Sequence, residues 1–426
     1  MKVCVHGLWH LGSVTAACMA KAGHQVTALE PDAVNRVRLG QGQAPLHEPG
    51  LDALLQQGLD SGALCLEADP AKALRGSQVL WICFDTPLDA EDRADTGFVL
   101  GKVRACLPLL DPQTLILLSS QLPVGSAAVL QAEVTRSRPE AGIRVACCPE
   151  NLRLGQALAA FQNPERVVLG VSDEASRAVL EELFRPLSVK LEWMSVASAE
   201  MVKHAINSFL ALSIVFINEI AQLCEKTGAD AVEVERGLKS DGRIGAKARL
   251  SPGPAFSGGT LARDLEFLGA SATKAGLDPA FFDGVLLSNN LHRDWPLKKL
   301  EAALGDLSGR KIGVLGLAYK SGTDTLRSSQ PLAWCRTLLS QGAEVSAFDP
   351  LIKAVPEDLS KLRLSAGLSE LLGSCEALLI AQPWPGLKEA MLALQNSGPC
   401  VVVDPSGLLA DTKMPLNTRY FRVGKA

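Results

Sequence analysis

Short apolar runs alternating with longer amphipathic stretches constrain this chain more than any other feature. Six such runs, "VCVHG", "QVTALE", "QVLWICFDTP", "TLILLSS", "RVACCPE" and "RVVLGVS", fall before about residue 190, with turn residues where they end. Runs of this kind, rich in β-branched residues and separated by helix-length segments, predict parallel strands covered by helices on both faces. From Ser195 to Thr227 the pattern changes. "SVASAEMVKHAINSFLALSIVFINEIAQLCEKT" contains no Gly or Pro and keeps helical periodicity, which predicts one long central helix. A second alternating unit follows in "GRKIGVLGLAYKSGTDT", "AEVSAFDP", "CEALLIAQPW" and "CVVVDPSG". The expected class is α/β, with two doubly wound parallel sheets joined by the long helix. A length of 426 residues suits two or three units, and the expected division is 1–195, 196–300 and 301–426.

Composition narrows the partners. A formal charge of -4 with both signs spread along the chain leaves no basic footprint for nucleic acid and no polybasic patch for a membrane surface. No window approaches roughly 18 uninterrupted apolar residues, so no membrane span is expected. The opening "MKVCVHG" lacks an apolar h-region and a cleavage site, from which a cytoplasmic protein is expected. The eleven cysteines show no C-x-x-C spacing, and several, such as Cys4, Cys83 and Cys400, lie in apolar runs. They read mostly as buried thiols, and six scattered histidines suggest no metal site.

"GLWHLG", Gly7 to Gly12, sits between the first apolar run and a helical stretch, and Glu30 ends the second run about 20 residues further on. Strand, glycine turn, helix and acid form the arrangement of a Rossmann-like dinucleotide-binding unit, with the carboxylate on ribose hydroxyls. Trp9 occupies the position of the middle glycine, which ordinarily lets the backbone approach the pyrophosphate. An α/β turn that binds nothing is the alternative. On the long helix, Glu200, Lys203, Asn207 and Asn218 share one otherwise apolar face, where each needs a partner. An interhelical network or a dimer interface would supply one. "SPGPAFSGGTLARD", residues 251 to 264, is a turn-rich loop of the kind that brings amides to a ligand, or a plain surface turn.

Together these pieces resemble the UDP-glucose/GDP-mannose dehydrogenase family over essentially the whole chain. The resemblance rests on the glycine turn, "EPGL" at Glu48 to Leu51, Thr86 and Pro87, and "PVG" at Pro123 to Gly125. It extends through P-E-x-L-R-x-G at Pro149 to Gly155, E-M-x-K-x-A-x-N at Glu200 to Asn207, D-x-R-I-G at Asp241 to Gly245 and "GLAYK" at Gly316 to Lys320. It implies NAD in a first Rossmann-like domain, a UDP- or GDP-sugar held mainly by a second, and a homodimer along the central helix. For site residues it implies Glu150, Lys203, Asn207, Thr260 and Asp264 at the chemistry. Gly7, Leu8, Trp9, His10, Leu11, Gly12, Glu30, Thr86 and Arg327 would face the cofactor. Asn151, Leu152, Arg153, Arg243, Phe256, Gly258 and Lys320 would face the sugar nucleotide.

Members of that family oxidise a sugar's primary alcohol twice, the second time through a cysteine thiohemiacetal in a G-G-x-C-F-P-K-D loop. Here the ungapped match is "SGGTLARD", with Thr260 at the cysteine, Arg263 at the lysine and Asp264 retained. A threonine hydroxyl without an adjacent base is a weak nucleophile where a thiol is readily activated. Gln121, Leu154 and Ser406 also depart from the family's threonine, glutamate and arginine. The retained Glu150, Lys203, Asn207 and Asp264 suit a single hydride transfer, or oxidation followed by re-reduction. Direct four-electron oxidation of an aldehyde hydrate and a silent sugar-nucleotide binder are the alternatives. Cys147 and Cys148 read as buried thiols at a strand end.

Overall fold

The computed structural model describes residues 1–426 except 88–93, 151, 153, 258, 320–323, 327, 394–397, 416 and 426. The chain divides into two units, Met1–Ile206 and Asn207–Ala426, with the boundary inside the long helix.

The first unit carries β1 (Lys2–His6), β2 (Gln25–Leu29), β3 (Leu64–Glu67), β4 (Val79–Ile82), β5 (Leu115–Leu118), β6 (Arg144–Cys147), β7 (Val167–Gly170) and β8 (Leu191–Met194). They form one sheet in the order β3-β2-β1-β4-β5-β6-β7-β8. β1 to β6 are parallel in the doubly wound order. β7 joins antiparallel to β6 through the single pair Cys147 and Gly170, then pairs in parallel with β8. Every residue of β4 and β5 is buried, as central parallel strands covered on both faces require. Period-two alternation divides the core. Val3, Val5 and Trp81 pack with helix α1 (His10–Lys21) on one face, and Cys4, Leu80 and Ile82 pack on the other.

The second unit holds β9 (Lys311–Leu315), β10 (Glu344–Phe348), β11 (Arg363–Leu364), β12 (Ala377–Ile380), β13 (Val401–Val403) and β14 (Arg419–Phe421), all parallel in the order β11-β10-β9-β12-β13-β14. Ile312 and Val314 face one core, and Leu315, Leu378 and Val402 face the other. Between the long helix and β9, the described residues form four helices, at Ala231–Ser240, Gly259–Lys274, Ala280–Arg293 and Trp295–Leu304.

The long helix runs Val196–Thr227. By length and composition alone it is apolar enough to cross a membrane, but half of its most apolar window is buried inside the structure, as in the core helix of a folded unit. All eleven cysteines are free and nine are buried. Cys400 corrects the expectation for apolar runs. It is exposed just before β13, and its Sγ donates to the Glu376 carbonyl at 3.2 Å.

Candidate active site

β1 delivers the chain into the glycine turn. Gly7 has φ +101°, and a Cβ there would stand 2.7 Å from the Phe84 amide nitrogen. A Cβ at Gly12 would fall on the Gly7 carbonyl oxygen, so the first turn of α1 can sit against β1 only with glycine at both places. Leu8 and Leu11 turn into the core, whereas Trp9 is 46% exposed. Trp9 is also the N-cap of α1, with a negative φ of -84°. It supplies no side-chain cap, and the first turn holds no acid. The amides of that turn point out of the helix at its positive end, where an anion binds well.

Glu30 follows β2 directly and is buried, with one carboxylate oxygen accepting from the Asp32 amide at 2.9 Å. Burial raises its pKa. Two steric glycines, an open helix N-terminus and a carboxylate after the neighbouring strand fit a dinucleotide. The Thr86 hydroxyl donates to the Gln121 carbonyl at 2.7 Å, tying the ends of β4 and β5.

His10 meets a residue whose role the sequence pattern did not reveal. Its Nε2 lies 3.0 Å from the carboxylate of the buried Glu48, which also accepts from the amides of Gly155 at 2.7 Å and Ala157 at 2.8 Å. Burial opposes the charge on Glu48, but these three partners outweigh it and hold its pKa below the ordinary value. One carboxylate thus fastens the start of α1 to the end of the segment that begins at Pro149.

At the ends of β5 and β6, Lys203 donates from Nζ to the Glu150 carbonyl, and its Nζ stands 3.9 Å from the Glu150 carboxylate. The Leu152 amide donates to the other Glu150 oxygen. Burial raises the Glu150 pKa, with Lys203 and the Leu152 amide pulling the other way. A cavity of about 30 Å³ lies beside these groups, lined also by Ser120, Cys147, Glu200 and His204. Glu200 accepts from the amides of Gly125 at 2.7 Å and Ala127 at 2.9 Å, capping the helix Ser126–Ser137. The His204 Nε2 lies 2.9 Å from the Leu122 carbonyl oxygen. His204 lies inside a motif read only for its other positions, and no periodicity singled it out. Glu200 and Lys203 of the polar stripe therefore find their partners in the loops that follow β5 and β6. Cys147 and Cys148 are buried, and burial pushes the Cys148 thiol up to about 12 and raises the Cys147 thiol well above its ordinary value, so neither is a ready thiolate.

In the second unit the Asn207 side-chain amide donates to Asp264, which is fully buried. Thr260 lies one turn earlier, exposed in the first turn of Gly259–Lys274. The preceding loop is held from three sides. The Asn218 oxygen accepts from the Gly253 amide at 3.0 Å, and His292 Nε2 reaches the Gly253 carbonyl at 2.9 Å. Asn289 bonds both backbone groups of the buried Phe256, at 2.9 and 3.1 Å. Beside this loop, at the carboxyl ends of β9, β12 and β13, opens a cavity of about 210 Å³ lined by Pro254, Ser257, Arg293, Tyr319, Trp334 and Ser406. Ligands of doubly wound sheets bind at such strand ends. Arg243 is on the surface, with its guanidinium bound twice to the Asp241 carboxylate, at 3.0 and 2.6 Å. Asn151, Arg153, Gly258, Lys320 and Arg327 lie outside the described residues.

Three family models match in chain order. The NAD binding domain of the UDP-glucose/GDP-mannose dehydrogenase family covers residues 1–188, its central domain 197–291 and its UDP binding domain 313–411. The chain is 35% identical over 398 residues to a UDP-glucose 6-dehydrogenase of Rhizobium meliloti, covering 90% of each chain. It is 33% identical to the UDP-glucose 6-dehydrogenase of Rickettsia typhi, over 100% of this chain and 99% of that one. The solved structure of a UDP-glucose dehydrogenase from the archaeon Pyrobaculum islandicum superposes with a TM-score of 0.88 at 31% identity, covering 100% of this chain and 98% of the other. With an NAD-binding first unit and a second whose sheet carries the UDP-binding region, this chain belongs to the UDP-glucose/GDP-mannose dehydrogenase family, whose members are NAD-dependent oxidoreductases.

Proposed function

We propose that this protein is a cytoplasmic, homodimeric oxidoreductase that takes a UDP-sugar, with a GDP-sugar as the alternative, and that it stops after one hydride transfer or oxidises the sugar and re-reduces it. The observation that carries this reading is Thr260. It stands exposed one turn before the buried Asp264, where the family motif has its nucleophilic cysteine. No cysteine lies anywhere between Cys224 and Cys335. Without a thiolate, an aldehyde cannot be held as a thiohemiacetal and passed on as a thioester.

Bound NAD would supply the hydride acceptor. The Lys203 ammonium stabilises the alkoxide as the alcohol loses its proton, and the Glu150 carboxylate, made more basic by burial, accepts that proton. Asn207 and Asp264, hydrogen-bonded to each other, are assigned with them to stabilising the oxyanion and assisting proton transfer. Gly7 to Gly12, Glu30, Thr86 and Arg327 are assigned to the cofactor. Asn151, Leu152, Arg153, Arg243, Phe256, Gly258 and Lys320 are assigned to the sugar nucleotide. Residues 1–195 serve as the NAD domain, 196–300 as the dimerisation region and 301–426 as the nucleotide-sugar domain.

Reaction of the purified protein with NAD and a panel of UDP- and GDP-sugars tests this. One NADH per sugar with an aldehyde or ketone product is expected, or isomerised sugar with no net NADH. Thr260→Cys is expected to raise the yield toward two. Two NADH and a uronic acid from the unaltered protein would overturn the proposal in favour of non-covalent four-electron oxidation. Sugar-nucleotide binding without any NAD binding would overturn it in favour of a silent binder.

A further inference from the structure

The indole of Trp9 is a part of the dinucleotide turn that the family assignment leaves unexplained. Of the six tryptophans it alone is exposed, while Trp81, Trp295 and Trp334 are buried and Trp193 and Trp384 are half-buried. Its position is what bears on the ligand, since it stands at the N-terminus of α1 within the glycine turn. The side chain makes no capping hydrogen bond to the helix it precedes, so capping does not account for its presence. The turn is otherwise built as a dinucleotide turn must be, with Gly7 and Gly12 both sterically required.

We propose that Trp9 sets cofactor affinity by forming a wall of the dinucleotide site and holding the pyrophosphate away from the first-turn amides of α1. As N-cap of α1, Trp9 has its Cβ fixed at the helix mouth, beside the first-turn amides. The middle position of a glycine turn is where the pyrophosphate comes nearest to the main chain. An indole there lengthens the amide-to-phosphate hydrogen bonds, and bonds to a charged partner weaken with distance and misalignment. The protein therefore binds NAD and NADH loosely, and its affinity is limited by a side chain rather than by the fold. The same indole lies beside the bound cofactor, so its emission transfers to reduced nicotinamide.

Titration of the purified full-length chain with NADH, without sugar, tests the inference independently of the reaction catalysed. Calorimetry gives the dissociation constant, and NADH emission excited through tryptophan reports proximity. Trp9→Gly is expected to tighten binding about tenfold, the scale of one recovered charged hydrogen bond, and Trp9→Ala to fall between. Trp9→Phe keeps a ring in place, so its affinity should match the unaltered protein while the transferred emission falls to what Trp81 and Trp193 still supply. Thermal unfolding of each variant identifies any that fail to fold, and Trp9→Ala then carries the test. Equal or weaker NADH binding by the folded Gly and Ala variants, or transferred emission undiminished in Trp9→Phe, would overturn the inference.

Discussion

Gly12 lies so close to the Gly7 carbonyl that an added Cβ would overlap that oxygen, and a Cβ on Gly7 would stand 2.7 Å from the Phe84 amide nitrogen. Both obstacles are main chain, which cannot swing aside as a flexible side chain can. Gly12→Ala should therefore push α1 off β1, at a cost of about 3 kcal/mol, near the upper range for overpacking. Gly101 is the control. It lies in the helix Thr96–Cys106, exposed, with open space where its Cβ would be. Gly101→Ala should stabilise by about 0.5–1 kcal/mol through helix propensity. Urea midpoints of the two variants should move in opposite directions.

Glu48 supports a second prediction. It accepts from His10, Gly155 and Ala157 while buried, and Glu48→Gln replaces one acceptor oxygen with an N–H group facing amide donors. A loss of about 3 kcal/mol is expected, since hydrogen bonds to a charged group are stronger than neutral ones and an unmatched buried donor adds its own cost. The pH dependence has a definite sign. The folded-state pKa is lowered, so the stabilisation is complete above the ordinary value of 4.5 and is lost as pH falls through the folded value. The difference in melting temperature between the unaltered protein and Glu48→Gln should be full at neutral pH and shrink below pH 4.5.

Glu150 should behave in the opposite sense. Burial raises its folded-state pKa, so the fold favours the protonated form, and ionisation removes stability as pH climbs from 4.5 through the raised value. Glu150→Gln imitates the protonated acid. Its melting temperature should match the unaltered protein near pH 4 and exceed it at pH 7 to 8. Hydride transfer should be lost in the same variant. In the unaltered protein the acidic limb of the rate profile should lie above the ordinary glutamate range, because the base must be ionised to work. A variant destabilised at neutral pH would count against the raised pKa.

How much of this was legible in the sequence depends on where each element lies. The strands β1, β2, β4, β5, β6 and β7 were visible as short, mostly apolar runs, and β4 and β5, buried throughout, are apolar throughout because helices cover both faces. The edge strands escaped notice. β3, β8, β11 and β14 are short and partly exposed, and β11 has only Arg363 and Leu364. The turn to antiparallel at β6 and β7 rests on one residue pair, which leaves no periodic trace. In the site, helical spacing identified Lys203 and Asn207 because one turn of one helix separates them. Glu48 was readable only as part of a motif, since its partners lie 38 and more than 100 residues away and only folding brings them together. Trp9 was visible as a departure from the glycine pattern, but its exposure depends on Leu8 taking the inward place beside it.

The long helix leaves an apolar face uncovered. Phe209, Phe216 and Leu223 are exposed at intervals of seven residues, which puts them along one side of the helix within two turns of each other in succession. On the helix Ala280–Arg293, Leu287 and Leu291 are also exposed one turn apart, and Ser288 between them donates to Glu219 of the long helix. An apolar surface of this kind is costly in water and suits a self-complementary partner, the same patch meeting itself across a two-fold axis. Phe216→Glu would place a carboxylate in such an interface twice, once from each copy, with no cation opposite. Burial of an unpaired charge costs several kcal/mol, so the dimer should weaken roughly a hundredfold or more. Sedimentation across a range of protein concentrations should show dimer for the unaltered chain and monomer for Phe216→Glu at the same concentration. The circular dichroism of the two should agree, because Phe216 is exposed within the single chain and the fold of each unit does not depend on it. Monomer for both proteins at every concentration would remove the dimer from the proposal and leave the exposed stripe without a partner.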